Sequence, residues 1–266
     1  MPVWDPDLYL KFADERTQPA VDLVSRINVP HAARIIDLGC GPGNSTQILR
    51  QRWPTAEITG LDSSPEMVAA AQKSYPDGKW LVQDIATWRG SDIFDIVFSN
   101  AALHWLPDHK ALFPNLFNRV SPGGAVAVQM PTHLESPLHR IMLEIAAQPQ
   151  WRERMDKPRK AITAQTPGFY YDLLHPLASC IILWQTEYQQ VMDAPEAILA
   201  WIRGTGLRPF LQALDSPADQ KEFESLLLAG IEQTYSRQAD GQILFPFRRL
   251  FMIAYRPVSG STRQRG

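Results

Sequence analysis

The sequence predicts an α/β fold: a doubly wound, mostly parallel, seven-stranded sheet carrying a helical cap. Three observations predict it. The apolar run Ala33 to Leu38 ends in three glycines, Gly39-Cys40-Gly41-Pro42-Gly43, and a helical pattern follows from Ser45 to Trp53. From Ala33 to Met130 strands and helices alternate, the βαβ rhythm of a parallel sheet. After Met130 that rhythm stops and helical stretches dominate, with two further strands between them.

The elements follow in order. Apolar segments near 33–38, 56–61, 79–82, 94–99 and 124–130 read as strands, and 44–53, 65–75 and 108–120 read as helices. Ser64 is an N-cap, with Pro65 at N1 and Glu66 in the first turn. Pro122-Gly123-Gly124 is a turn feeding the fifth strand. Pro137 to Ala147 is an amphipathic helix, and Trp151 to Pro167 is polar and irregular. The stretch near Ile181 to Val191 is a strand whose later half alternates, with Trp184, Thr186 and Tyr188 on one face and Gln185, Glu187 and Gln189 on the other. Ala194 to Tyr235 is helical again, and Phe247 to Tyr255 is a last strand. Strands six and seven are expected as an antiparallel, hairpin-like pair on the sheet edge. Trp4, Leu8, Tyr9, Phe12 and Arg16 recur at spacings of three and four, so they share one helix face. The expected organisation is a single domain over 1–257. Its core covers about 30–131 with the late strands at about 180–191 and 247–256. A cap covers about 132–175 and 194–240, and the Ser/Gly/Arg-rich tail 258–266 is expected to be disordered.

Composition narrows the function. The chain has 266 residues, 45% hydrophobic and 20% charged, which fits a globular protein rather than a disordered one. Its net charge of −2 comes without a basic block, so no nucleic-acid partner is expected. No segment approaches the uninterrupted apolar length of a membrane span, and the start lacks the basic and apolar regions of a signal peptide. A cytoplasmic protein with no membrane partner and no obligate protein partner is expected. The two cysteines, Cys40 and Cys180, show no zinc-ligand spacing, so no metal is expected.

The polar residues at the strand ends point to a nucleotide-like ligand. The Gly39-x-Gly41-x-Gly43 spacing is not the Gly-x-Gly-x-x-Gly of dinucleotide enzymes, and no Lys-Ser/Thr follows as a phosphate-binding loop needs. Asp37 stands two residues before the first glycine. Asp62 closes the next strand about 20 residues on, where an acidic side chain can take both ribose hydroxyls. Asp84 ends a short strand and can accept from an adenine amino group, with Ile85 against the ring. Asn100 ends the run Phe94 to Asn100. A plain tight turn remains the alternative for the glycines alone, and a capping Asp for Asp62. Taken together the four strand ends resemble the S-adenosylmethionine (SAM) site of class I methyltransferases. The resemblance implies that Asp37, Gly39, Cys40, Gly41, Gly43, Asn44, Asp62, Ser63, Met67, Asp84, Ile85, Asn100 and Ala101 hold that cofactor.

Other segments carry a narrower likeness. They are Tyr9-x-x-Phe12-x-x-x-Arg16-Thr17-x-Pro19-Ala20-x-Asp22-Leu23, Gly41-Pro42-Gly43-Asn44-Ser45-Thr46 and Ser99-Asn100-Ala101-Ala102-Leu103-His104-Trp105. Val128 to Pro131, Trp201 to Pro209 and Phe245 to Phe251 extend it. On these the chain resembles the trans-aconitate 2-methyltransferase family, of Rossmann-like fold, over roughly residues 4 to 255. That resemblance implies monomethyl esterification of trans-aconitate or a similar small tricarboxylate by SAM. It implies a substrate site of Tyr9, Arg16, His104, Trp105, His133, Arg203 and Arg208. No catalytic general base is expected, because a carboxylate is already an anion at neutral pH. His104 departs from relatives, where Gln is common. The plainer readings are solvated arginines at 203 and 208, structural histidines at 104 and 133, and packing for Trp105. A methyltransferase for a phenol or amine, or a non-catalytic SAM-binding protein, is the alternative function.

Overall fold

The computed structural model describes residues 13–132 and 136–258. In chain order they form α1 (Ala13–Ser25), β1 (Arg34–Leu38), α2 (Asn44–Arg52), β2 (Glu57–Asp62), α3 (Pro65–Ser74), β3 (Lys79–Val82) and β4 (Phe94–Asn100). A single turn of 3₁₀ helix, Leu103–Trp105, precedes α4 (His109–Phe117) and β5 (Val120–Pro131). Then come α5 (Pro137–Ala146), α6 (Pro167–Leu174), β6 (Cys180–Met192), α7 (Pro195–Arg203), α8 (Arg208–Gln212), α9 (Pro217–Thr234) and β7 (Ile243–Tyr255). Of the expected tail, 258–266, all but Val258 lies outside the described residues.

The seven strands make one sheet in the order β3-β2-β1-β4-β5-β7-β6. The first five are parallel: Asp37 on β1 stands between Gly60 on β2 and Phe98 on β4. Strand order therefore reverses at β1 and β4, and the crevice outside their carboxyl ends is where such sheets take ligands. The β1 and β4 interiors are buried on both faces, as covered parallel strands must be. The late strands run antiparallel to their neighbours. Gly123 donates to the Arg256 carbonyl at 3.0 Å and Thr132 to that of Arg248 at 3.0 Å, so β7 descends as β5 climbs. Ser179 likewise meets Tyr255 while Trp184 stacks on Phe251 at 4.7 Å, which sets β6 against β7 on the sheet edge. Three helices separate the two in sequence, so they are not a local hairpin.

Two boundaries differ from expectation for a physical reason. β5 begins at Val120, which pairs with Phe94, and the register then shifts before Ile96 meets Ala125. Pro122-Gly123-Gly124 is thus an irregularity inside the strand rather than a turn before it. A Cβ on Gly124 would sit 2.4 Å from the Asp95 carbonyl oxygen, so only glycine lets the chains pass. The helical stretch after Ala194 is three helices, broken at Gly204 and near Ala213.

The chain divides into two compact units. One takes in the chain up to Met130, Gln165–Thr186 and the chain from Leu250; the other takes in Pro131–Ala164 and Glu187–Arg249. In the first, Ile36, Leu61, Val97, Phe113, Val126 and Leu250 share a core with Tyr170 and Leu174 of α6. Helix α6, within the 132–175 stretch expected as cap, therefore packs with the sheet unit. In the second, α9 lies along α5 so closely that a Cβ on Gly230 would be 2.6 Å from Ile141 Cγ2. Trp151 packs on Phe223 at 5.3 Å, and Arg154 reaches both Asp215 and Asp219 at 3.2 Å. Among the described residues no helix is long and apolar enough to cross a membrane.

Candidate functional site

The glycine loop joins β1 to α2 at the reversal of strand order. Gly39, Gly41 and Gly43 all take positive φ, 73°, 53° and 94°. Two of them also have no room for a side chain. A Cβ on Gly39 would fall 2.2 Å from Ala102 Cβ, and one on Gly43 would fall 2.8 Å from the Trp80 ring. Gly41 differs: among the described residues nothing stands within 4 Å of its Cβ position, so they leave its outer face open. Trp80 supports the loop from beneath and donates from Nε1 to the Tyr75 carbonyl at 3.0 Å.

Two carboxylates hold the loop. Asp37 is fully buried, and its Oδ2 accepts from Ser45 Oγ and Thr46 Oγ1, both at 2.7 Å. Its other oxygen has no hydrogen-bond partner among the described residues. Burial pushes its pKa up to about 6 despite the two hydroxyls, and the Asp62 charge adds to the rise. Asp62 Oδ2 accepts from the Gly41 N–H and its Oδ1 from the Ser64 N–H, both at 2.9 Å. Its pKa too is raised, chiefly by burial. The buried Cys40 thiol is driven far above its usual range by burial, so it is inert packing.

The remaining cofactor candidates follow around the strand ends. Ser63 is half-buried beside Asp62, and Met67 is buried on α3, its N–H capped by Ser64 Oγ at 3.2 Å. Asp84 Oδ1 accepts from the Ala86 N–H at 2.9 Å, a local turn that presents Ile85 toward Gly39. Asn100 Oδ1 is buried and has no partner among the described residues. Ala101 follows at φ 54°, a left-handed conformation that costs an alanine about 1–2 kcal/mol. Gly39, Cys40, Asn44 and Asn100 line one cleft together with Thr17, Ala20, Pro42 and Ser45. Those last four were not singled out as site residues. Thr17 and Ala20 are displayed by α1, whose neighbouring sequence carried the family likeness, and Ser45 opens the helix after the glycines.

The substrate candidates divide between the units. His104 and Trp105 sit on the 3₁₀ turn of the sheet unit, ring to ring at 4.7 Å, with His104 buried. Arg203 and Arg208 belong to the other unit. Arg203 ends α7 with its fork on Glu224, Nε to Oε1 and Nη2 to Oε2 both 2.7 Å. Arg208 opens α8 partly buried, and that burial lowers its pKa. Tyr9 and His133 lie outside the described residues. Arg16 falls on the backbone of α1, ahead of the described side chains. No cluster of metal-ligating side chains occurs among the described residues.

Comparison with known proteins agrees with this fold. Residues 35–124 match the family model described as a methyltransferase domain. The chain is similar in architecture to the YcgJ protein of Bacillus subtilis, with a TM-score of 0.60 at 13% identity over 90% of this chain and 99% of that one. It is also similar to phosphoethanolamine N-methyltransferase 2 of Haemonchus contortus, with a TM-score of 0.54 at 16% identity over 90% of this chain and 52% of that one. Likeness at such identity shows the fold alone. Sequence relatives say more. The trans-aconitate 2-methyltransferase of Azoarcus sp. (strain BH72) is 46% identical over 96% of this chain and 100% of its own length. That of Variovorax paradoxus (strain S110) is 44% identical over 94% and 97%. With identity of 44–46% over nearly the whole of both chains, this chain belongs to the trans-aconitate 2-methyltransferase family.

Proposed function

We propose that the chain transfers a methyl group from SAM to a carboxylate of trans-aconitate, giving the monomethyl ester. The observation that carries this is an overall identity of 44–46% over more than nine-tenths of the chain, since the glycine loop alone would fit any methyltransferase.

The residues present fit the cofactor. The open face of Gly41 lets a ligand approach the backbone, and Asn100 Oδ1 and Asp37 Oδ1, acceptors without a partner among the described residues, suit a cationic amine. A carboxylate has about four acceptor positions. Asp62 spends Oδ2 on the Gly41 N–H of the loop and Oδ1 on the Ser64 N–H of its own turn, which leaves the remaining positions for ribose hydroxyls. Asp84 and Ile85 take the adenine. SAM, when bound, supplies an activated methyl on a sulfonium.

The chain's own contribution is then placement. The acceptor carboxylate is already ionised, so the residues must orient it in line and keep water out. His104 and Trp105 supply a dry wall. Arginine suits the carboxylates that do not react, because its planar fork makes two parallel bonds to each. Arg203 and Arg208 are the candidate anchors, and Arg203 shares its fork with Glu224. The two free cysteines suit a reducing, cytoplasmic setting.

The test is methyl transfer at fixed SAM to trans-aconitate, citrate, isocitrate and a simple monocarboxylic acid. Trans-aconitate should react best and citrate should inhibit more than it reacts. Equal turnover of the monoacid would overturn the tricarboxylate reading.

A further inference from the structure

A buried chain of hydrogen bonds lies outside the residues assigned so far. His109, 4% exposed, opens α4, and Tyr170, fully buried, lies on α6. Tyr170 Oη stands 2.7 Å from His109 Nδ1, and His109 Nε2 stands 3.0 Å from the Leu103 carbonyl oxygen. At the other end the Gln165 N–H donates to Tyr170 Oη at 3.0 Å.

The two ends orient the protons between them. The Leu103 carbonyl can only accept, so the ring proton sits on Nε2. The Gln165 N–H can only donate, so Tyr170 Oη accepts from it and, with the ring neutral, gives its own hydrogen to Nδ1. In that neutral Nε2–H form the direction runs Gln165 to Tyr170 to His109 to Leu103, with the Leu106 carbonyl also facing the ring. Phe113 closes the side, its ring 5.3 Å from His109 and 4.9 Å from Tyr170.

Leu103 is the first residue of the turn that carries His104 and Trp105. That turn follows Ala101, held in the left-handed region, so the local backbone is strained and needs an external hold. We propose that His109 and Tyr170 are positioning residues for the methyl acceptor: they lock the Leu103–Trp105 turn so that His104 and Trp105 face the substrate. This rests on the substrate reading above for those two side chains.

The geometry also sets a pH dependence. A proton on Nδ1 would oppose the Tyr170 hydrogen and break the chain at its middle. Burial already lowers the His109 pKa, against the opposing pull of Asp108 just before it on α4 and of the Leu103 and Leu106 carbonyls. Tyr170 faces it from α6, and His104 follows Leu103 in the turn.

The experiment compares wild type, Tyr170→Phe and Phe113→Leu by steady-state kinetics and by calorimetry with SAM. Phe113→Leu loosens the same packing and leaves the hydrogen bonds. Tyr170→Phe should raise KM for trans-aconitate about tenfold, the scale of one lost buried hydrogen bond, while SAM affinity stays within about twofold. Phe113→Leu should leave KM near wild type. An unchanged KM in Tyr170→Phe, or an equal rise in both variants, overturns the inference. A wild type that methylates no carboxylic acid overturns the substrate reading instead. Should Tyr170→Phe fail to fold, the ¹⁵N shifts of His109 in wild type decide. The Nε2–H tautomer at pH 7 supports the lock, and an Nδ1–H or cationic ring overturns it.

Discussion

Asp37 should make the cofactor-free protein less stable as pH rises, the reverse of the usual carboxylate behaviour. Its pKa moves from 3.8 in the free side chain to about 6 in the fold, because burial outweighs the Ser45 and Thr46 hydroxyls. A raised carboxyl pKa means that the folded chain holds its proton longer. The stability it contributes is therefore full below pH 3.8 and is lost as pH climbs through about 6. At 1.36 kcal/mol per pH unit the whole change is about 3 kcal/mol. About 2 kcal/mol of it falls between pH 4.5 and 7.5. Asp37→Asn removes the titration and keeps an oxygen for the two hydroxyls. Thermal melts of both proteins without cofactor should show wild type losing roughly 4–8 °C more than the variant over that interval, at about 2–4 °C per kcal/mol for a chain of this size. Added SAM should narrow the gap, because a cationic group near the unpartnered Oδ1 favours the charged carboxylate. Parallel melting curves for the two proteins would refute the reasoning.

The remaining predictions concern the loop and the two arginines of the second unit. Asp62→Ala should weaken SAM binding by roughly 1–3 kcal/mol in calorimetry, and an unchanged affinity would remove Asp62 from the cofactor site. Gly41→Ala should fold with a penalty of about 1–2 kcal/mol from its positive φ and yet lose most SAM affinity. Gly39→Ala should lose stability more severely, since its Cβ would meet Ala102 at 2.2 Å; a Gly41→Ala protein that binds SAM normally would show that the open face does not meet the ligand. Arg208→Ala and Arg203→Ala should each raise KM for the tricarboxylate at constant SAM affinity. Equal kinetics in wild type and both variants would take these two arginines out of the scheme.

The first five strands were legible because parallel strands buried on both faces read as apolar runs, and because glycines and capping residues mark their ends. Ser64 caps α3 as its position before Pro65 implies. What the residues could not reveal locally was pairing. Nothing near Pro122 tells that Val120 already faces Phe94, so an internal irregularity read as a turn. Tyr170 and Leu174 are apolar on a short helix either way, and only their packing with Phe113 assigns α6 to the sheet unit. The same holds for Arg203 in the second unit: that Glu224 engages it follows from how α7 meets α9, 21 residues along the chain. At the candidate site, the strand-end acids were visible as types and spacings. Their division of labour was not, since which oxygen of Asp37 or Asp62 is spent on the loop depends on where α2 and the glycines turn.

Trp80 has a bearing on how this loop can evolve. Gly43, Gly60 and Gly78 come from three separate segments, and a Cβ on each would lie within 2.8, 2.4 and 2.5 Å of the same indole. The four positions are therefore one unit of inheritance: an alanine at any of the three glycines needs a smaller ring at 80 in the same step. A substitution such as Gly60→Ala alone would be rejected, while the pair Gly60→Ala with Trp80→Leu could pass. The indole also holds the loop in shape before any ligand arrives, so binding need not bear the entropy of ordering it. Exchange of one cofactor preference for another would then start on the open side of Gly41, where a side chain has room, and leave the inner side untouched.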